Sequence, residues 1–320
     1  MAKRFVICSP QKEYANLLAE HISERQDLSF QLFVCNDYEG LTGELKKKHI
    51  DILLIDGAIP PEKRNKIKAK QIYVLTRAGE KVCVREKEIY QFQSANAIIS
   101  EILEGCIEQN EDAVFKQCKS GNKQLIGVYS PIHRIGKSEF TLALAHELDR
   151  RGKVLYVSLE EYSPLGQSLF HEKRNLADIL YYMKQDDSYL GARVGTVVRK
   201  FHGIDVIAPI PVSPDLKEVL REDWEKLFLR LMKESMYEWV IVDFSESVQG
   251  LPEILNICNV IYQPTIKELP EQAKLNQYRQ VLKQLGLESI TAKTVEVAME
   301  EELAKSIRTI IARINPEGLK

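Results

Sequence analysis

Along the chain, short unbroken apolar runs alternate with longer stretches that carry an apolar residue every three or four positions. Ile50, Ile52, Leu53, Leu54 and Ile55 form one such run, closed by Asp56. A run this short and apolar suits a strand in the middle of a parallel sheet, where helices cover both faces. Gly57 and Pro60-Pro61 end it. Around it the pattern predicts strands at 5–8, 30–34, 71–76 and 88–92. It also predicts a helix with Leu17, Leu18 and Ile22 on its apolar side, a second through Leu41 and Leu45, and a closing helix at 94–103. This alternation predicts an open α/β sheet of about five strands.

The alternation fades from Glu104. Residues 105–123 are polar and aperiodic, with a Ser120-Gly121-Asn122 turn signal, and are predicted to link a first domain at 1–104 to a second at 124–320. The second domain predicts strands at 125–129, 154–159, 204–208, 239–243 and 260–262, with helices at 136–151, 176–184, 224–234 and 271–285. The fold class is therefore α/β, with two doubly wound sheets.

A length of 320 residues agrees with two domains. With 44% hydrophobic and 28% charged residues the chain has the composition of a globular protein. A net charge of −2 argues against a dedicated nucleic-acid binder, and Lys46-Lys47-Lys48 and the basic residues at 63–70 read as solvated faces. The six cysteines include no CxxC pair, so neither a zinc site nor a disulfide framework is signalled and a reducing cytosol is expected. No signal peptide and no run of about 18 apolar residues is found, which predicts a soluble or at most peripheral protein.

The candidate chemistry sits where a predicted strand runs through Pro131-Ile132-His133-Arg134-Ile135-Gly136-Lys137-Ser138 into a helix. This fits the P-loop pattern with Pro131 in place of its first glycine. A helix N-terminus offers N–H groups and a positive dipole end to an anion, and Gly136 permits close backbone approach. Lys137 reaches the β- and γ-phosphates, and the Ser138 hydroxyl ligates magnesium. The candidate ATP-binding residues are His133, Arg134, Ile135, Gly136, Lys137, Ser138, Glu139 and Asp243. Asp243 ends the apolar run Trp239-Val240-Ile241-Val242, the Walker B pattern, and is the second candidate magnesium group, acting through a water.

With these residues in hand, the chain resembles the ParA/MinD-type deviant Walker ATPases, and among them the TadZ/CpaE-like proteins of tight-adherence (Flp) pilus systems, which join an atypical receiver domain to a MinD-like ATPase domain. The resemblance rests on the two-domain order, on SPIHRIGKS, VLYVSLEEY, APIPVSPDL, EWVIVDFSESVQG and IYQPT taken in sequence. It implies a homodimer facing across two ATP-magnesium sites, pilus or secretion assembly proteins as partners, and a cytoplasmic place at the inner face of the membrane or cell pole, while the net charge of −2 separately points to no specific nucleic acid. The family's signature lysine falls at Ile132, its two glycines at His133 and Arg134, and its D-x-D at Ser158-Leu159-Glu160. Lys137 and Glu160 are then the candidate catalytic groups. With the signature lysine replaced, ATP binding is the firmer expectation and hydrolysis to ADP and phosphate is at most weak. A DNA-partitioning ATPase and a nucleotide-free pseudo-ATPase scaffold are the alternatives.

The first domain resembles a response-regulator receiver (flavodoxin-like), with Asp56 at the phospho-acceptor place and Thr76 at that of the switch hydroxyl. Ser9-Pro10-Gln11 stand where a receiver's magnesium-holding acids fall, and Tyr90-Gln91-Phe92-Gln93 where its lysine falls. The expectation is a phosphorylation-independent interaction domain in which Asp56 serves as a strand-end hydrogen-bond acceptor. Residues 302–314 predict a helix with Leu303, Ile307, Ile310, Ile311 and Ile314 on one side. Packing on the sheet is the preferred reading, and lying on an anionic membrane is the other.

Overall fold

The computed structural model describes residues 3–25, 28–77, 79–109, 114, 123–163, 165, 169, 174–185 and 189–299. The helix predicted at 302–314 lies outside them. The chain divides into two compact units, Met1–Gln117 and Cys118–Lys320.

Unit 1 contains, in chain order, β1 (Lys3–Cys8), α1 (Lys12–Glu24), β2 (Phe30–Cys35), α2 (Tyr38–Lys47), β3 (Ile50–Asp56), α3 (Pro61–Arg64), β4 (Ala69–Thr76), β5 (Glu86–Tyr90) and α4 (Ala95–Glu108). Its sheet is parallel in the order β2-β1-β3-β4-β5, one of the two common doubly wound arrangements. Strand side chains alternate between faces. Thus Phe5, Ile7, Ile52 and Leu54 pack with Leu18, Ile22, Ile98 and Ile102 of α1 and α4, while Val6, Cys8, Leu53 and Ile55 pack with Leu41 of α2.

Three sequence expectations change here. Leu17, placed on the apolar side of α1, is 66% exposed, and Ala15, Leu18, Ala19 and Ile22 form the buried face instead. Phe92, expected in the fifth strand, lies beyond its end and is exposed. The closing helix, capped by the Ser94 side chain accepting from Ala97 N–H at 3.2 Å, runs on to Glu108. Residues 105–108 of the expected linker are therefore helical, because Cys106 and Ile107 are buried in the core and hold that turn in place.

Among the described residues no helix joins β4 to β5. A buried guanidinium organises that connection. Arg64 donates to Gly57 O at 3.2 Å, Ile59 O at 2.6 Å and Lys81 O, and its fork meets Glu86 at 3.0 and 3.2 Å. Arg85 donates to the carbonyls of Arg64, Asn65 and Ile67.

Unit 2 contains β6 (Gln124–Val128), α5 (Lys137–Asp149), β7 (Val154–Leu159), α6 (Leu176–Lys184), α7 (Leu190–Val197), β8 (Val198–Phe201), β9 (Ile204–Ile207), α8 (Ser213–Glu218), α9 (Arg221–Glu234), β10 (Trp239–Phe244), α10 (Leu251–Ile257), β11 (Val260–Thr265), α11 (Leu269–Gln284), α12 (Glu288–Lys293) and β12 (Thr294–Ala298). The sheet order is β12-β11-β6-β10-β7-β9-β8, parallel except for the β8–β9 hairpin. That hairpin turns on His202 and Gly203, both with positive φ, as a two-residue turn of the right-handed sheet twist requires.

Trp224, Leu227, Phe228 and Leu231 give α9 a buried stripe at helical spacing, and Asn175 with Asp178 closes a capping box on α6. On one face of the sheet, Val240, Val242 and Phe244 pack with α9. On the other, Trp239 and Ile241 pack with Phe140, Leu144 and Leu148 of α5. By this alternation Asp243 shares the α5 face. No helix among the described residues is long and apolar enough to cross a membrane.

Candidate functional site

The site forms at the carboxyl ends of β6, β10 and β7, adjacent strands in which Asp243 pairs in register with Val128 on one side and Ser158 on the other. In open α/β sheets this end is where ligands bind. Between β6 and α5 the chain first turns inward, with Ile132 only 2% exposed and its N–H donating to Ser130 Oγ at 3.2 Å. It then passes outward through exposed His133 and Arg134. Arg134 takes φ 59° and Gly136 φ 77°, both in the left-handed region. Gly136 meets this cheaply, whereas an arginine there is strained. α5 begins at the next residue.

Lys137 is the first residue of α5, and its side chain reaches across the strand ends. Its ammonium donates to Glu160 Oε1 at 2.6 Å, to Phe244 O at 2.8 Å and to Asp243 Oδ1. The other Asp243 oxygen accepts from the Tyr156 hydroxyl at 3.2 Å. Tyr156 lies two residues before Ser158 on β7 and so shares the α5 face. Burial, joined by the neighbouring Asp243 carboxylate, holds the Tyr156 hydroxyl protonated well above its ordinary range. Burial also raises the Glu160 carboxyl above its ordinary value, more than Lys137 lowers it.

Of the residues singled out from the sequence, Lys137, Glu160 and Asp243 are in direct contact, with Gly136 and Ser138 in the same turn of α5. His133 pairs instead with Glu246 at 3.4 Å, with the two side chains 67% and 52% exposed. Arg134 and Glu139 are exposed and Ile135 is half-buried.

Sequence reading passed over Tyr156 and Glu161. Glu161 accepts from Ser213 at 3.1 Å and from Ser247, and pairs with Lys217 at 3.0 Å. The Ser247 hydrogen bond, with Lys217, lowers its carboxyl below the ordinary range. Glu161 thereby ties the end of β7 to α8 and to the loop after β10, where Ser245 also donates to Leu159 O at 2.7 Å. The tandem Glu160-Glu161 after an apolar strand was a signal for Glu161.

In unit 1, Asp56 ends β3 almost fully buried. It accepts from Ser9 Oγ at 2.8 Å, Ala58 N–H at 2.9 Å and Arg77 Nη2 at 3.4 Å. Arg77 is fixed in turn by Gln91, which donates to Gln11. The Thr76 hydroxyl donates to Glu88 at 2.7 Å.

No family model and no curated protein matches the chain. Among solved structures, a plasmid partition protein from Borrelia burgdorferi is similar at TM-score 0.45 and 13% identity, over 60% of this chain and 100% of that one. A ParA family ATPase from Chlorobium tepidum is similar at TM-score 0.45 and 17% identity, over 61% and 94%. The MinC:MinD cell division complex of Aquifex aeolicus gives TM-score 0.41 at 15% identity, over 55% and 68%. At these values the likeness bears on no activity, and the functional reading rests on the geometry.

Proposed function

We propose that unit 2 is a P-loop domain of the ParA/MinD kind that takes ATP with magnesium and works as a dimeric switch or scaffold, turning ATP over slowly or not at all. The observation that carries this reading is the meeting of Lys137, Asp243 and Glu160 beside the N-terminus of α5, at the carboxyl ends of three adjacent parallel strands.

The donor set fits the ligand. The first turn of α5 has N–H groups with no partner within the helix and a positive dipole end. Lys137 supplies a point charge for the β- and γ-phosphates, and the residues from His133 to Glu139 bring the backbone to them. The Ser138 hydroxyl and the buried Asp243 carboxylate suit magnesium, which takes few protein groups because phosphate oxygens and waters complete its shell. Magnesium would supply neutralisation of phosphate charge. Ile132, buried at the place of the family's signature lysine, brings no charge to the transition state. Ground-state binding can therefore stay ordinary while the chemical step is impaired.

Unit 1 is read as a receiver-like interaction module in which the Arg77 guanidinium faces Asp56. The whole chain is read as positioning Flp pilus or secretion machinery at the inner face of the membrane. Thermal unfolding with ATP and magnesium tests the core of the proposal. Ligand at 100 times its dissociation constant should add about 2.7 kcal/mol in the wild type and nothing in Lys137→Ala. Turnover should fall well below about 1 s⁻¹, with a dimer mass by light scattering in the presence of ATP. An unchanged melting temperature in the wild type would sink the proposal, and turnover near 10 s⁻¹ would remove its scaffold part.

A further inference from the structure

We infer that Glu160 is a latch on Lys137: in the nucleotide-free chain it holds the ammonium that a polyphosphate needs, and so sets how tightly the site takes one. This rests on the reading of residues 133–139 as a phosphate loop.

An ammonium has three protons to donate. Among the described residues three acceptors meet Lys137: Glu160 Oε1, Asp243 Oδ1 and Phe244 O. An incoming phosphate must therefore displace one of them, and the three differ in what release costs. Asp243 is fully buried, so water cannot replace Lys137 as its partner and only an arriving cation could. Phe244 O belongs to the backbone at the end of a buried strand. Glu160 lies just beyond the end of β7 with its side chain 24% exposed, so water can take over its hydration once the ammonium leaves.

Glu160 is thus the partner that yields, and its ion pair with Lys137 is the interaction lost on binding. Two carboxylates around one ammonium also leave net negative charge at the spot where a polyphosphate would arrive, which opposes binding through the same residue. A group that only orients water for hydrolysis predicts no such effect on affinity.

The test uses the full chain and two probes, ADP and a non-hydrolysable ATP analogue with magnesium, by calorimetry, together with melting in the absence of nucleotide. Glu160→Gln should bind both probes on the order of five- to tenfold tighter than the wild type and should melt lower without nucleotide. In a Lys137→Met background the same substitution should no longer lower the melting temperature, because the partner of the latch is gone. Glu160→Asp, which draws the carboxylate back by one methylene, should shift affinity in the same direction by a smaller factor and serves if Glu160→Gln folds poorly. Affinity that is unchanged or weaker in both variants, with the wild type binding normally, overturns the latch alone. No binding of either probe by any of the chains overturns the phosphate-loop reading and the latch with it.

Discussion

Lys137 and Asp243 stand 106 residues apart in sequence and meet as an ion pair at the end of the central strand of unit 2. Asp243 is fully buried and the Lys137 side chain is only 13% exposed. Removing one partner of such a pair leaves a buried charge without compensation, which costs far more than the pair itself is worth. Lys137→Ala should therefore lower the stability of nucleotide-free protein by about 3 kcal/mol. Adding Asp243→Asn should restore much of it, since the amide needs no countercharge. Urea unfolding of the single and double variants measures this, and equal losses in the two would show that the pair is not what Lys137 supports.

In unit 1 the analogous buried pair is Arg64 with Glu86, both side chains fully out of water. Arg64 uses its planar fork on one carboxylate and three carbonyls, a pattern that a lysine ammonium cannot reproduce. Arg64→Lys should destabilise measurably and Arg64→Leu by about 3 kcal/mol, while a double change of Arg64 and Glu86 to apolar residues should be milder than Arg64→Leu alone.

Glu86 also makes unit 1 sensitive to acid. Burial raises its carboxyl, but the hydrogen bonds from Arg64 and the Cys83 N–H outweigh this and hold it below the ordinary value. A depressed folded value contributes stability that is present above the unfolded value of about 4.3 and is lost as pH falls through the folded one. Denaturant midpoints measured downward from pH 5 should drop, and Arg64→Leu should flatten that drop. An unchanged slope in the variant would place the acid sensitivity elsewhere.

Asp56 already accepts from Ser9, Ala58 and Arg77, and the residues after β1 bring no acid beside it. Phosphoryl transfer to a carboxylate needs its charge compensated by metal. Treatment with acetyl phosphate and magnesium should leave the intact mass unchanged. A phosphoryl adduct that disappears in Asp56→Asn would overturn the interaction-module reading of unit 1.

Burial, with smaller contributions from Cys35, Asp37 and Asp56, pushes the Cys8 thiol up to about 12. Burial likewise pushes Cys258 up to about 12 against a small opposing effect of Lys293. In the unfolded chain a thiol ionises near 8.5, so their contribution is fully present below that pH and is lost as pH rises toward 12. Each thiol should steepen the fall by about 1.4 kcal/mol per pH unit in that window. Urea midpoints between pH 8 and 10.5 should therefore fall less steeply in Cys8→Ala with Cys258→Ala than in the wild type, and identical slopes would count against it.

Much of the framework was legible in sequence because its signals are local. Ile50–Asp56 and Val154–Leu159 coincide with their predicted strands, since a strand buried on both faces reads as a nearly continuous apolar run. α6 begins at the Asn175 capping box and ends within the span read from its apolar spacing. The turn into α5 was legible for a similar reason, as Gly136 can take a left-handed conformation before a helical pattern.

What escaped depends on residues distant in the chain. β12 pairs with β11 and carries too little apolar pattern to announce itself, being mostly half-buried or exposed at the sheet edge. Arg64 reads from sequence as one more residue of a basic surface run. Only the approach of Glu86, 22 positions on, together with the carbonyls around it, makes its burial affordable. At the candidate site, sequence determined that a lysine stands at the start of a helix and a carboxylate at the end of a strand. Strand order and the alternation of faces then decided that Lys137 meets Asp243, Glu160 and a backbone carbonyl at one point, because charge pairing in a buried place is settled by which groups the sheet brings within hydrogen-bond reach.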